Sequence, residues 1–99
     1  MELMLDHVAI VVSNISESID WYCCKFENAE IIHQDNTWGM INIDGLRLAM
    51  VLENMHPPHI AIGRQGVAPD GVNTHRDGSK YVYEKDPDGN VIETIWWEK

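Results

Sequence analysis

The chain has 99 residues, 44% of them hydrophobic, and sets seven Lys and Arg against sixteen Asp and Glu for a formal net charge of −9. That length supports a single small domain (1-99) with no second independent core, and burying only about 60 to 65% of its unfolded surface leaves a thin margin that oligomerisation would widen. The acidic balance repels phosphate backbones and anionic lipid heads, so neither nucleic acid nor a membrane surface is an expected partner. The longest apolar stretch, Val8 to Val12, is far below the roughly 18 to 20 residues of a spanning helix. The amino-terminal MELMLDHV has acids where a secretory signal carries a basic patch. Cys23 and Cys24 are sequence neighbours without further cysteines, which excludes a disulfide framework, and no CxxC or CxxH pair offers a structural zinc site. A cytoplasmic location is the expectation.

In chain order, residues 5 to 12, LDHVAIVV, alternate with period two. Val8, Ile10 and Val12 form one apolar face, with Leu5, His7, Ala9 and Val11 on the other, which predicts a strand. Asn14 with Glu17 three positions on has the form of a capping box, and Ile15, Ile19, Tyr22 and Phe26 recur at helical spacing, so a helix is predicted near 15 to 26. Extended runs follow at about 29 to 35, 37 to 43 and 45 to 53, separated by turn chemistry at Asp35-Asn36 and Asp44-Gly45. The first half therefore reads βαβββ. After His56-Pro57-Pro58, a short strand is predicted from His59 to Ile62, then mostly loop over 63 to 78. Strands at Tyr81 to Lys85 and Val91 to Trp97 close the chain around the turn Asp86-Pro87-Asp88-Gly89-Asn90.

An internal repeat organises these elements. Asp6-His7-Val8-Ala9-Ile10 matches Pro58-His59-Ile60-Ala61-Ile62, and Asp44-Gly45-Leu46-Arg47-Leu48-Ala49 matches Asp88-Gly89-Asn90-Val91-Ile92-Glu93. The two histidines thus share one phase of the first strand in each half, and Glu93 falls opposite Ala49. The first match is offset by 52 residues and the second by 44. The second half is therefore eight residues shorter, which the loss of most of a helix near 63 to 73 would explain. The expected fold is α+β, two βαβββ-type modules (about 1-54 and 55-99) forming a cupped mixed sheet, the second lacking most of its helix.

If the halves pair about a pseudo-twofold axis, His7, His59 and Glu93 converge. Two imidazoles and one carboxylate make a divalent-metal site with open positions, suited to Fe, Mn, Ni or Zn without choosing among them. A charged Glu93 on the apolar strand between Ile92 and Ile95 would cost several kcal/mol if buried unpaired, and a cation is the economical partner. The plainer reading is that each histidine is a hydrogen-bonded structural group. His56 lies three residues before His59 across two prolines, roughly 9 Å away in a polyproline II segment, so strand phase favours His59. Glu53 reads as a solvated strand-end charge, and His33 as a surface residue on an edge strand.

The strand LDHVAIVVSN followed by SIDWY, the PHIAI strand and the closing DPDGNVIE resemble the vicinal oxygen chelate superfamily, which includes glyoxalase I, methylmalonyl-CoA epimerase, extradiol dioxygenases and antibiotic-resistance proteins. The resemblance spans nearly the whole chain. It implies paired βαβββ modules, often a homodimer, with a metal that chelates two adjacent oxygens of a small-molecule substrate. By that similarity His7, His59 and Glu93 fall on three of four ligand positions, and the fourth is Ala49. Glyoxalase-type isomerisation uses four protein ligands, so the extradiol dioxygenases look closer, and they imply catalytic roles for Tyr83, ten residues before Glu93, and for His75. The alternatives are a sheet-packing aromatic for Tyr83 and a polar turn for His75-Arg76-Asp77-Gly78. Arg76 would hold a substrate carboxylate or simply be solvated. Trp96 and Trp97 read as core or dimer contacts.

The function these residues imply is that of a metal-dependent lyase or dioxygenase acting on a small oxygenated molecule. The rival is a metal-free drug-binding protein of the bleomycin-resistance type, to which the acidic charge and four tryptophans would bring a cationic guest. A third reading is a module serving only as a dimeric partner subunit.

Overall fold

The computed structural model describes residues 3–97. Its elements are β1 (Leu3–Val12), α1 (Ile15–Lys25), β2 (Ala29–Gln34), β3 (Trp38–Ile43), β4 (Leu46–Leu52), β5 (His59–Gln65), β6 (Asn73–Thr74), β7 (Lys80–Lys85) and β8 (Val91–Trp97). No helix among the described residues is long and apolar enough to cross a membrane. The chain divides into two compact units. The first comprises residues 7–58, and the second comprises residues 59–97 together with Leu3–Asp6 of β1.

In the first unit the strand order is β2-β3-β4-β1. β1 runs parallel to β4, while β2, β3 and β4 are antiparallel neighbours. Asp44 and Gly45 both have positive φ, 51° and 94°, the backbone a two-residue hairpin needs for its twist to match the strands. Asn14 begins the helix as the pattern predicts, its side-chain oxygen accepting from the Glu17 amide at 2.9 Å. The apolar stripe of α1 then lands on the sheet: Ile15, Ile19, Ile41, Leu48 and Met50 form the buried cluster, with Val8, Ile10 and Val12 packed against it. The opposite face carries a smaller cluster of Ala9, Met40 and Ala49. Gly39 lets the helix approach closely, because a Cβ there would lie 2.7 Å from Ile19 Cδ1 and 3.1 Å from Ile15 Cγ2.

The second unit repeats the order as β5-β8-β7-β6, with β5 parallel to β8 and the remaining pairs antiparallel. Asp86 holds the β7–β8 turn by accepting from the backbone amides of Asp88 and Asn90 and from the Asn90 side chain at 2.8 to 2.9 Å. Gly89 supplies the positive φ of 87°. Register makes the repeat concrete: Ala9 pairs with Ala49 in one unit, and Ala61 pairs with Glu93 in the other. Between β5 and β7 there is no helix, only turns and the two-residue β6. The α+β class, the mixed sheet and the missing second helix are therefore as the sequence predicts. β5 runs three residues beyond the predicted end at Ile62, because its parallel pairing with β8 continues through Gln65 opposite Trp97. On β5 and β8 the buried residues are His59, Ala61, Gly63, Glu93 and Ile95, all on one face.

Candidate functional site

The site of the second unit follows from strand phase. Pro57 and Pro58 stiffen the approach to His59, which opens β5. Two residues on, Ala61 stands opposite Glu93 of β8, and Tyr83 of β7 stands opposite Glu93 on its other side. Paired positions share a face, so His59, Glu93 and Tyr83 all project to the same side. Glu93 is 1% exposed and His59 8%. His59 Nε2 lies 3.1 Å from Glu93 Oε1, and the His59 ring meets the Tyr83 ring edge-on at 5.1 Å.

The loop before β7 adds a second imidazole. His75 and Ser79 close a turn through the Ser79 carbonyl, which accepts from the His75 amide at 2.9 Å, and the His75 carbonyl accepts from Gly78. Thus His75 lies in the polar turn and still reaches the buried acid. Its Nε2 reaches Glu93 Oε2 at 2.7 Å, and its ring stacks flat on Tyr81 at 3.6 Å. The ring of Tyr81 in turn meets Tyr83 edge-on at 5.4 Å. Each oxygen of the buried carboxylate therefore faces one imidazole, and an N–H on either Nε2 donates to it. That arrangement offsets the desolvation an isolated buried carboxylate would suffer. Burial pushes the Tyr83 phenol well above the ordinary tyrosine range, with the charge of Glu93 and then Tyr81 adding to the effect. Tyr83 consequently stays a proton carrier and not a phenolate. Asp77 is held below the usual carboxylate range, chiefly by the Ser79 hydroxyl and amide.

His7, half-buried, is the residue after Asp6 on β1 and the counterpart of His59 in the repeat. Of the three predicted ligands, His59 and Glu93 lie side by side within the second unit, and His7 belongs to the first. The chemistry of the donor set fits: ligands about 2.0 to 2.1 Å from a common ion stand roughly 3 Å apart, as His59 Nε2 and Glu93 Oε1 do. Ala49, the counterpart of Glu93, packs with Ala9 and Met40 and offers no donor. His56 and Glu53 are exposed. His33 lies on the edge strand as predicted but is more engaged than a surface residue, with Nε2 at 2.8 Å from Asp35 Oδ2 and the ring stacked on Trp38 at 4.1 Å. The direct bond from His75 to Glu93 was not accessible to spacing rules, since the intervening loop has no periodicity; only the family resemblance pointed at His75.

No family model and no curated protein matches the sequence. Solved structures do match the fold. A glyoxalase/bleomycin resistance protein/dioxygenase superfamily member from Vibrio splendidus 12B01 aligns with a TM-score of 0.66 at 10% identity, covering 95% of this chain and 97% of that one. An NAD-dependent benzaldehyde dehydrogenase from Legionella pneumophila aligns at 0.65 and 15% identity, covering 90% and 96%. The chain thus has the fold of the glyoxalase/bleomycin resistance/dioxygenase superfamily, the fold of the vicinal oxygen chelate proteins. Two such differently named proteins on one fold leave the activity to be argued from the site.

Proposed function

We propose that the protein is a metal-dependent lyase or dioxygenase of the vicinal-oxygen-chelate type, binding a divalent ion through His7, His59 and Glu93. The observation that supports this reading is a fully buried carboxylate with the His59 imidazole nitrogen at a ligand-like 3.1 Å. A divalent ion there would supply Lewis acidity toward two adjacent oxygens of a small substrate, favouring an enolate, diolate or catecholate. The chain's own groups divide the remaining work. Tyr83, which keeps its proton, donates a hydrogen bond to a substrate oxygen, and His75, whose side chain is 29% exposed, exchanges a proton with solvent. Elemental analysis of protein purified without chelator tests the reading. Near-stoichiometric metal that is lost in His59→Ala and Glu93→Ala supports it, and metal-free protein overturns it. Turnover of diols, catechols or 2-oxoaldehydes by the metal-loaded protein then identifies the reaction.

One observation favours the rival reading of a metal-free binding protein. Both oxygens of Glu93 already face an imidazole, His59 on one side and His75 on the other, so the buried acid is satisfied without an ion. With a net charge of −9 and four tryptophans, a cationic aromatic guest suits this protein. Micromolar calorimetric binding of such a guest by metal-free protein would select the rival.

A further inference from the structure

Where β7 begins and β8 ends, the second unit carries a cavity of about 270 Å³ that shares no residue with the Glu93 group. Asp77, Gly78 and Ser79 of the loop, Lys80 of β7, and Trp96 and Trp97 of β8 line it. Lys80 stands opposite Trp96 in the strand register, so the lysine stem and that indole lie side by side on one face. Trp97, next in the strand, points to the opposite face, so the cavity meets β8 at its end. It also holds one charge of each sign. Asp77 Oδ1 accepts from the Ser79 hydroxyl at 2.7 Å and from the Ser79 amide at 2.9 Å, bonds that keep the carboxyl ionised. Lys80 Nζ donates to the Thr74 hydroxyl at 3.0 Å, which leaves two further ammonium hydrogens. No ion pair joins Asp77 to Lys80 among the described residues.

We propose that this cavity binds a small zwitterion with an apolar body, the chemistry of a free α-amino acid with an aromatic side chain. Charge selects the class. A lone anion is repelled by a protein of net charge −9. A lone cation would meet Asp77 but stand beside Lys80, and a neutral apolar molecule would strip water from both charges without replacing it. A zwitterion answers each: its carboxylate accepts from Lys80, its ammonium donates to Asp77, and its hydrocarbon part lies on the indoles. Volume selects the size. At about 270 Å³ the cavity falls just below the roughly 300 to 1,000 Å³ of drug-sized sites, which suits a single amino acid and not a peptide. This inference does not rest on the metal reading.

The test is a nuclear magnetic resonance titration of the full chain with L-phenylalanine, 2-phenylethylamine and 3-phenylpropanoate, which share the ring and carry both charges, the positive one or the negative one. L-Phenylalanine should bind with a Kd of about 1 mM or tighter, moving the indole N–H signals of Trp96 and Trp97 and leaving those of Trp21 and Trp38 in place. Each single-charge analogue should bind roughly tenfold more weakly. Lys80→Met should remove the advantage of the amino acid over the amine, and Asp77→Asn its advantage over the acid, with circular dichroism as the check on folding. No binding of L-phenylalanine up to about 10 mM overturns the proposal. So does an analogue that binds as tightly as the amino acid, a shift confined to Trp21 and Trp38, or undiminished affinity in both folded variants. Should a variant fail to fold, the three ligands and the indole signals of the wild-type chain decide.

Discussion

Glu93 carries a formal charge onto an apolar strand, and the two imidazoles beside it make that placement tolerable. Truncation to Ala would strand His59 and His75 without their acceptor. We expect Glu93→Ala to cost about 1 to 3 kcal/mol, read as a lowered urea midpoint at unchanged slope. Aspartates outside the site contribute to the acid limb of stability. Asp35 is held well below the usual carboxylate range by the Thr37 hydroxyl and amide, with His33 and Trp38 adding to it, and Asp86 is lowered by Asn90. A depressed folded-state value means a contribution present above the unfolded carboxylate range and lost as pH falls through the folded value. Stability should therefore hold down to about pH 4 and decline below it, and Asp35→Asn should flatten that decline in acid melts. At this scale the sequence was readable where the repeat spoke. Phase marked His59, and the unusual acid on β8 marked Glu93. His75 was reached only through the family resemblance, because its contact is made by a loop whose path depends on the turn at Ser79 and on stacking against Tyr81.

Among the elements, α1 shows how local signals fix a boundary. The Asn14 side chain satisfies the Glu17 amide, and Asn14→Ala should lower stability by about 1 kcal/mol, measured by thermal melting. Helix position is set from the sheet side. Gly39→Ala should cost about 1 to 3 kcal/mol through overpacking, since the new methyl meets Ile19 Cδ1. Ile19→Val, which removes that atom, should recover part of the loss when combined with it. The helix and most strands were legible because their apolar periods and turn residues agree. The true length of β5 was not: Gly63, Arg64 and Gln65 carry no alternating apolar signal, and only parallel pairing with β8 keeps them extended.

For the whole molecule, the repeat predicted two modules of one strand order, and each unit has that order. What the repeat did not reveal is that Leu3–Asp6 group with the second unit while the rest of β1 belongs to the first; a strand's allegiance is decided by its neighbours in space, which local pattern does not record. The eight-residue deficit was legible as a lost helix, and the chain between β5 and β7 holds only turns and the two-residue β6.

β8 is two-sided in burial: Glu93 and Ile95 are buried on one face, while Ile92, Thr94 and Trp96 stand on the other. Since side chains alternate strictly, a slip of one position would exchange the two sets wholesale. A point replacement on this strand alters one side chain on one face, whereas a single-codon insertion or deletion between Asn90 and Glu93 would turn the carboxylate outward and an isoleucine inward. Drift in chain length should accordingly be channelled into the connection between β5 and β7, and anyone re-engineering this scaffold should graft there and leave the spacing of the final strand untouched.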